Sequence, residues 1–317
     1  MHTLRRGLLA VVGAALLPAS APAGLYYSGE TYAELPSQWR GFLLDHRALR
    51  MVAVPRPETG PTLLRQSYLA EAERLGKKAD AGTLTADEAA DLGAVYVRLG
   101  QAEKAVELLR AAQRRHPEHF RIASNLGTAW QVLGDLDQAE AALRAALPLA
   151  PKELRGAEEY HLKLVQLRKR GGKEDGGPDD LFGVRYAGPQ GEPAAGSIDA
   201  EQMKKLPADA VATAQRLALW LPADGRLLWQ LGELANAYGD VRTAANILEG
   251  CVSEFGMSDP ELRRRRQVYR AAADKLPAAA AGPGAPAAPE HERHRGRLRT
   301  RSARPLVTKL DTARLPP

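Results

Sequence analysis

Two stretches decide the fold: Ala89-x-x-Leu92-Gly93-x-x-Tyr96 and, 34 positions later, Ala123-x-x-Leu126-Gly127-x-x-Trp130. Beyond each stretch, glycine, alanine, leucine, alanine and proline recur at the same spacing. The matched positions are Gly100 and Gly134, Ala105 and Ala139, Leu109 and Leu143, Ala112 and Ala146, and Pro117 and Pro151. A period of this length indicates a unit of two helices that buries its apolar face only by stacking on neighbouring copies. The sequence therefore predicts a stack of helix pairs.

The recurring residues have steric roles in such a unit. A glycine in the middle of the first helix lets the second helix cross closely, and an alanine on the second helix serves the same purpose. A glycine between the helices adopts positive φ at little cost, and a proline ends the second helix. The residues are Gly93, Gly127 and Gly232 at the crossing, Ala105, Ala139 and Ala244 opposite them, Tyr96 and Trp130 between units, Gly100, Gly134 and Gly239 at the turn, and Pro117 and Pro151 at the end.

This pattern resembles the tetratricopeptide repeat family, and more specifically an exported protein of bacterial type. The resemblance is strong over 86–119 and 120–153, returns at Leu228-x-x-Leu231-Gly232-x-x-Ala235, and is partial over 154–169 and 205–222. It implies an all-α fold, a right-handed α-solenoid of antiparallel helix pairs. It also implies a non-enzymatic scaffold whose first helices line a concave groove for a peptide or a partner helix.

The resemblance further implies which side chains face this groove, which we expect to be open. Asn125, directly before Leu126-Gly127, matches a position where many relatives bond the backbone of a bound peptide. Glu158 and Glu159 on the next first helix argue against a clamp for a peptide carboxylate, which needs basic residues there. The alternative is that the candidate side chains are merely solvated. The candidates are Arg98, Arg121, Asn125, Thr128, Gln131, Trp229, Gln230, Glu233 and Asn236.

Composition divides the rest of the chain. Five aromatic residues fall in 24–60, which we interpret as an arm over the end of the stack, with a helix from about 37 to 50. The arm alternatively lies in the protein's own groove or docks on a partner. Glycine and proline in 171–204 predict an irregular insert, with a short strand at 181–186. The predicted segments are a signal peptide 1–23, an aromatic arm 24–60, a repeat block 61–170, the insert 171–204, a second repeat block 205–276 with a capping helix, and a disordered basic tail 277–317.

Residues 1–23 have the features of an export signal. Arg5 and Arg6 precede a short apolar run, and Ala21-Pro22-Ala23 provides the small residues that signal peptidase requires. The run of about 11 residues is too short to span a bilayer, which takes roughly 20. We therefore expect an exported protein that is periplasmic, envelope-associated or secreted; an uncleaved anchor is the alternative. Cys251 is the single cysteine, so the chain makes no internal disulfide.

Most of the formal charge of +6 lies in the tail. From Glu290 onward, eight arginines and lysines face three acidic residues, which leaves the body almost neutral. The folded part is therefore not obliged to bind a polyanion, and nucleic acid is not the partner we expect. An alternative function follows, in which the tail holds an anionic surface and the repeats only space it.

The sequence carries no recognisable catalytic motif. It lacks the nucleophile elbow, the phosphate loop, the dinucleotide fingerprint and the zinc-protease pair of histidines. We interpret His116-Pro117-Glu118-His119 as a turn between units rather than a metal site, and the four arginines 263–266 as a solvated helix with some snorkelling side chains. We therefore predict no enzymatic activity, no cofactor and no metal, and a protein or peptide as the partner.

Overall fold

A computed structural model describes residues 25–30, 39–54, 60–171 and 178–277. The chain divides into two units, Met1–Leu276 and Pro277–Pro317, and Pro277 is the one described residue of the second unit. The predicted signal peptide and the predicted disordered tail therefore lie outside the described residues.

Helices are the regular secondary structure of the described ranges, which confirms the predicted all-α solenoid. We call α2 to α7 the first block and α9 to α12 the second block. Consecutive helices pack in pairs: α3 on α4, α5 on α6, and α10 on α11. The helices are α1 (Trp39–Ala53), α2 (Leu63–Asp80), α3 (Ala86–Arg98), α4 (Ala102–Arg115), α5 (Phe120–Leu133), α6 (Leu136–Ala146), α7 (Lys152–Lys169), α8 (Ala200–Met203), α9 (Ala210–Trp220), α10 (Gly225–Ala237), α11 (Val241–Ser253) and α12 (Pro260–Ala273).

Glycine sets the spacing within each pair. A Cβ atom placed on the glycine in the middle of the first helix would overlap a leucine of the second helix, at a separation that real Cβ atoms do not reach. The contacts are Gly93 with Leu109 at 2.5 Å, Gly127 with Leu143 at 2.6 Å, and Gly232 with Leu248, which is closer still. Each pair is therefore packed so closely that a larger residue at this position would force the helices apart.

Local chemistry fixes where the helices begin. Thr85 and Glu88 form a capping box at the start of α3, in which each side chain bonds the other residue's backbone N–H. Asp135 caps α6 by accepting from a backbone N–H one turn into the helix. The turns that precede α6 and α11 pass through Gly134 and Gly239 at φ of 84° and 85°, a region that side chains disfavour. The helix boundaries therefore follow from residues within a few positions of them.

Helix α1 connects the two blocks. It contacts α2 and α3 of the first block and α9 of the second. Arg50 donates to the backbone carbonyl of Glu254 at 2.9 Å, and both Arg47 and Arg50 pair with the Glu254 carboxylate. This part of the aromatic arm therefore joins the blocks instead of covering one end of the stack.

The insert between α7 and α9 is irregular apart from α8. The strand expected at 181–186 is wrong: Leu181, Phe182 and Tyr186 are buried in the core as part of a loop, so burial rather than strand pairing explains this apolar run. Asp179 anchors the insert through ion pairs with Arg168 of α7 at 3.0 Å and Arg226 of α10 at 2.8 Å. Because α9 contacts both α7 and α10, it lies where the second helix of a pair belongs, and the insert interrupts that pair.

Candidate functional site

The predicted groove is occupied by the chain itself. Residues 25–30 lie on the first helices α3, α5 and α7, a surface that we call the first-block groove. The Asn125 side chain on α5 accepts from the backbone N–H of Tyr26 at 2.7 Å and donates to the Tyr26 carbonyl at 3.1 Å. It also donates to the Ala90 carbonyl on α3 at 2.9 Å. The expectation of an open groove is therefore wrong, because a remote segment of the same chain satisfies its polar side chains.

The Tyr26 side chain reaches across α5 to α7. Its hydroxyl donates to Glu158 at 2.8 Å, and the Ser124 hydroxyl donates to the same carboxylate oxygen at 2.9 Å. The ring packs edge-on against Phe120 with centroids 4.8 Å apart, and 1% of the residue is exposed. Burial raises the pKa of Glu158 to about 7, although both hydroxyl hydrogen bonds act to lower it.

The next contact is made by Ser28 with Asp91 of α3. The backbone N–H of Ser28 donates to the Asp91 carboxylate at 2.9 Å, and the Ser28 hydroxyl donates to its second oxygen. Arg121 of α5 pairs with Asp91, pairs with Asp87 at 3.1 Å and donates to the Tyr26 carbonyl at 3.2 Å. Arg121 therefore balances the acidic charge that α3 presents to the segment.

Glu30 is held by a bidentate ion pair. The Arg98 guanidinium donates to the two Glu30 oxygens at 2.7 Å and 2.9 Å, and the Tyr68 hydroxyl of α2 donates to one of them. The two side chains of the ion pair are 1% and 6% exposed. Arg98 also donates to the Leu219 carbonyl of α9 at 2.7 Å, so this ion pair lies where the two blocks meet.

The bound segment is turned rather than extended. The Tyr27 N–H donates to the Leu25 carbonyl, and the Glu30 N–H donates to the Tyr27 carbonyl, both at 3.1 Å. The second bond closes a β-turn with Ser28 and Gly29 at its centre. A Cβ atom on Gly29 would lie 2.5 Å from the Tyr27 ring, so a side chain at this position would require that ring to move. The resemblance did not anticipate a turn as the occupant.

The second block holds the insert in a comparable way. The Asn236 side chain of α10 accepts from the Gly196 N–H at 2.7 Å and donates to the Ala194 carbonyl at 2.8 Å. Gln230, one helix turn and a half earlier, donates to the Tyr186 hydroxyl at 2.7 Å. First-helix amides therefore bind remote backbone or hydroxyl groups of the same chain in both blocks.

Glu233 is the centre of a buried cluster beside this insert. Its carboxylate accepts from the Trp229 indole at 2.9 Å, the Tyr269 hydroxyl at 2.7 Å and the Arg265 guanidinium at 2.9 Å. Arg265 also donates to the Tyr186 carbonyl. The solvated interpretation of 263–266 is thus wrong for Arg265, which is 9% exposed because the Glu233 carboxylate compensates its charge inside the fold.

The nine groove candidates fall into three groups. Eight of them are buried, which excludes a merely solvated state for all but Arg121. Arg98, Arg121 and Asn125 hold residues 25–30, while Gln230, Glu233 and Asn236 hold the insert and its neighbours. Thr128 donates to the Ser124 carbonyl at 3.2 Å, Gln131 bonds His161 at 2.7 Å, and Trp229 bonds Glu233. Their role in binding a partner stays a prediction.

Several residues that lie in the groove were not among the predicted candidates. Asp91 was detectable, because it directly precedes Leu92-Gly93 as Asn125 precedes Leu126-Gly127. Tyr26 and Glu30 carried no such signal, since their partners are 99 and 68 residues away in sequence. Glu158 was interpreted only as an argument against a clamp for a peptide carboxylate, whereas it accepts a hydrogen bond from the Tyr26 hydroxyl.

Other polar groups have structural roles. His119 caps α5 by accepting from the Ile122 N–H, and its second nitrogen lies 3.2 Å from Asp87. Burial raises the pKa of the Cys251 thiol, which lies in the core of the second block.

The ranges that the structure describes contain no helix with both the length and the apolar composition for crossing a bilayer.

Comparison with known families agrees with this geometry. A tetratricopeptide repeat family model matches residues 90–153, which contain the two glycine-spaced helix pairs and most of the first-block groove. No curated protein matches the chain. Repeats of this family generally mediate protein–protein interaction and are typically non-enzymatic. The matched residues, the crossing glycines and the paired helices together identify residues 90–153 as tetratricopeptide repeats.

Proposed function

We propose that this chain is a non-enzymatic protein–protein interaction scaffold whose first-block groove binds a peptide segment of a partner. The observation that supports this most is the bonding of Asn125 to both backbone groups of Tyr26. A side chain that bonds backbone N–H and C=O can hold any residue except proline, so it suits a ligand supplied by another chain. Residues 25–30 then serve as an internal ligand of the same groove.

The proposal places the scaffold outside the cytoplasm. It is supported by the sequence of residues 1–23, whose predicted cleavage after Ala23 leaves Gly24 as the first residue, next to the bound segment. N-terminal sequencing of the protein recovered from an envelope fraction of expressing cells tests this part. A chain that keeps Met1 and stays in the cytoplasmic fraction contradicts it.

Peptide selection with the full chain tests the binding function. The bait is the Tyr26→Ala variant, in which the internal segment lacks its buried ring. The ligands come from a display library of random peptides. We expect selected peptides to bind the bait, to be displaced by free Leu-Tyr-Tyr-Ser-Gly-Glu, and to lose affinity when Asn125→Ala is added.

The matched control is Arg114→Ala on α4, an exposed side chain outside the groove. It should leave the affinity of the selected peptides unchanged. The contrary result is that the selected peptides bind with an affinity that neither the competitor nor Asn125→Ala changes. This result would show that they bind outside the groove and that the groove assignment is wrong.

A further inference from the structure

We propose that the ligand of the first-block groove is a peptide with a tyrosine, then a Ser-Gly turn, then a carboxylate, and that residues 25–30 compete with it. This inference rests on the proposed function and adds the ligand's chemistry and its competitor. If the internal segment left the groove, several buried polar side chains would lose their partners in residues 26–30. Arg98, Glu158 and Asp91 each bond a side chain of a different chemical kind there: a carboxylate, a phenol and a serine hydroxyl.

The carboxylate is the strictest requirement. Glu30 is the acidic partner of Arg98, whose side chain is 1% exposed and binds both carboxylate oxygens. A buried guanidinium that loses its carboxylate is strongly unfavourable, because it cannot recover full solvation inside the fold. A competing ligand must therefore place a carboxylate at the same position, and an aspartate or glutamate side chain meets this requirement.

A phenolic hydroxyl is the second requirement. Tyr26 places its hydroxyl 2.8 Å from Glu158 at the bottom of the groove, where a phenylalanine would leave the carboxylate with one donor fewer. The neighbouring Tyr27 differs: its ring lies 5.6 Å from that of Tyr68, and its hydroxyl makes no hydrogen bond to another described residue. The groove thus distinguishes tyrosine from phenylalanine at the first position but not at the second.

The turn is the third requirement. Asp91 accepts both the N–H and the hydroxyl of Ser28, which an alanine would only half satisfy. Gly29 is favoured at the next position because a side chain there would displace the Tyr27 ring from its contact with Tyr68. Ser28 and Gly29 are exposed to solvent, whereas Tyr26 is buried. A competing peptide can therefore approach at the turn while Tyr26 is still bound.

Fluorescence anisotropy with a labelled peptide, Leu-Tyr-Tyr-Ser-Gly-Glu, tests the inference. The full chain should bind it weakly, and the Tyr26→Ala chain at least tenfold more tightly, because the internal competitor is weakened. A peptide with the Tyr26→Phe change should lose roughly three- to tenfold in affinity. One with Glu30→Gln should lose at least about tenfold, because a charge-assisted pair is lost.

The matched peptide control is Tyr27→Phe, the same chemical change one residue later, which should bind like the parent peptide. If Tyr26→Ala does not fold, the Ser28→Ala chain replaces it, since Ser28 is exposed. Equal affinities for the Tyr26→Phe and Tyr27→Phe peptides would overturn the inference and leave the proposed function standing.

Two further outcomes decide the remaining alternatives. If neither variant chain binds any peptide that the competitor displaces, both the inference and the proposed function fail. If the full chain is a dimer at micromolar concentration and Ser28→Ala makes it a monomer, a second copy is the ligand and the assignment to a different partner is overturned.

Discussion

The carboxylate of Glu158 accepts a hydrogen bond from the hydroxyl of Tyr26 at 2.8 Å, although 132 residues separate them in sequence. This contact joins the last helix of the first block to a segment near the N-terminus. Because Glu158 is 1% exposed, its protonation state depends on whether the segment stays in place.

The first prediction concerns pH. Burial raises the folded-state pKa of Glu158 to about 7 from an ordinary 4.5, so its stabilising contribution is complete below pH 4.5 and is lost as pH rises through 7. Relative to the Glu158→Gln variant, the free energy of unfolding should fall by on the order of 3 kcal/mol between pH 4.5 and 8. Urea unfolding of both proteins at several pH values measures it.

The buried histidines make stability depend on pH in the opposite direction, but their effect is the same in both proteins and does not change the difference between them. Burial lowers the pKa of His46 to about 4 and that of His161 to about 3. The contribution of each to the free energy of unfolding therefore decreases as pH falls below 6.5. Both remain in the Glu158→Gln protein. A difference between the two proteins that stays constant from pH 4.5 to 8 would contradict the assigned ionisation.

The second prediction concerns the amide that holds the N-terminal segment. Asn125→Ala should reduce the free energy of unfolding by about 2–4 kcal/mol, because buried backbone groups of Tyr26 lose their partner. Chymotrypsin should also cleave after Tyr26 or Tyr27 sooner. Asn246→Ala, at an exposed asparagine of α11, is the control and should change neither quantity. Equal protease resistance of both variants would argue against a role for Asn125 in holding residues 25–30.

The third prediction concerns helix crossing. Gly127→Ala should destabilise the chain by about 1–3 kcal/mol, since its Cβ atom would lie 2.6 Å from Leu143. Gly156→Ala in α7 is the matched control: a Cβ atom there meets nothing within 4 Å, so the change should stabilise by up to about 1 kcal/mol. Thermal unfolding followed by circular dichroism measures both. The packing account fails if the two substitutions shift stability in the same direction.

The fourth prediction concerns the buried cluster of the second block. Glu233→Gln should cost about 3–5 kcal/mol, because Arg265 keeps its charge inside the fold without a carboxylate. Glu249→Gln is the control, since Glu249 pairs with the neighbouring Arg266 at the surface and should matter by less than about 1 kcal/mol. Comparable losses in chemical unfolding experiments would mean that burial does not distinguish the two ion pairs.

Much of the fold was predictable because its determinants are local. The positions of α3 to α6 follow from glycines and alanines that repeat along the chain, and the contact of Gly93 with Leu109 needs only that spacing. Asn125 was found for the same reason, through its place before Leu126-Gly127. Its actual partner was not, since no periodic pattern connects it with Tyr26.

Features that depend on distant contacts were missed or misread. Arg265 looks like its three arginine neighbours in sequence, and only the approach of Glu233 from α10 makes its burial favourable. The apolar residues of 181–186 suggested a strand because a buried loop and a strand share the same composition. Glycine and proline around them indicated irregular structure, but not that the insert would cover α10.

The segment that fills the first-block groove is the first part of the described chain to leave the ribosome, whereas Glu158 follows 132 residues after Tyr26. During synthesis the segment must therefore wait until α3, α5 and α7 have emerged and paired. Because the segment contacts the three first helices α3, α5 and α7, ordering of residues 25–30 has to follow the stacking of the first block.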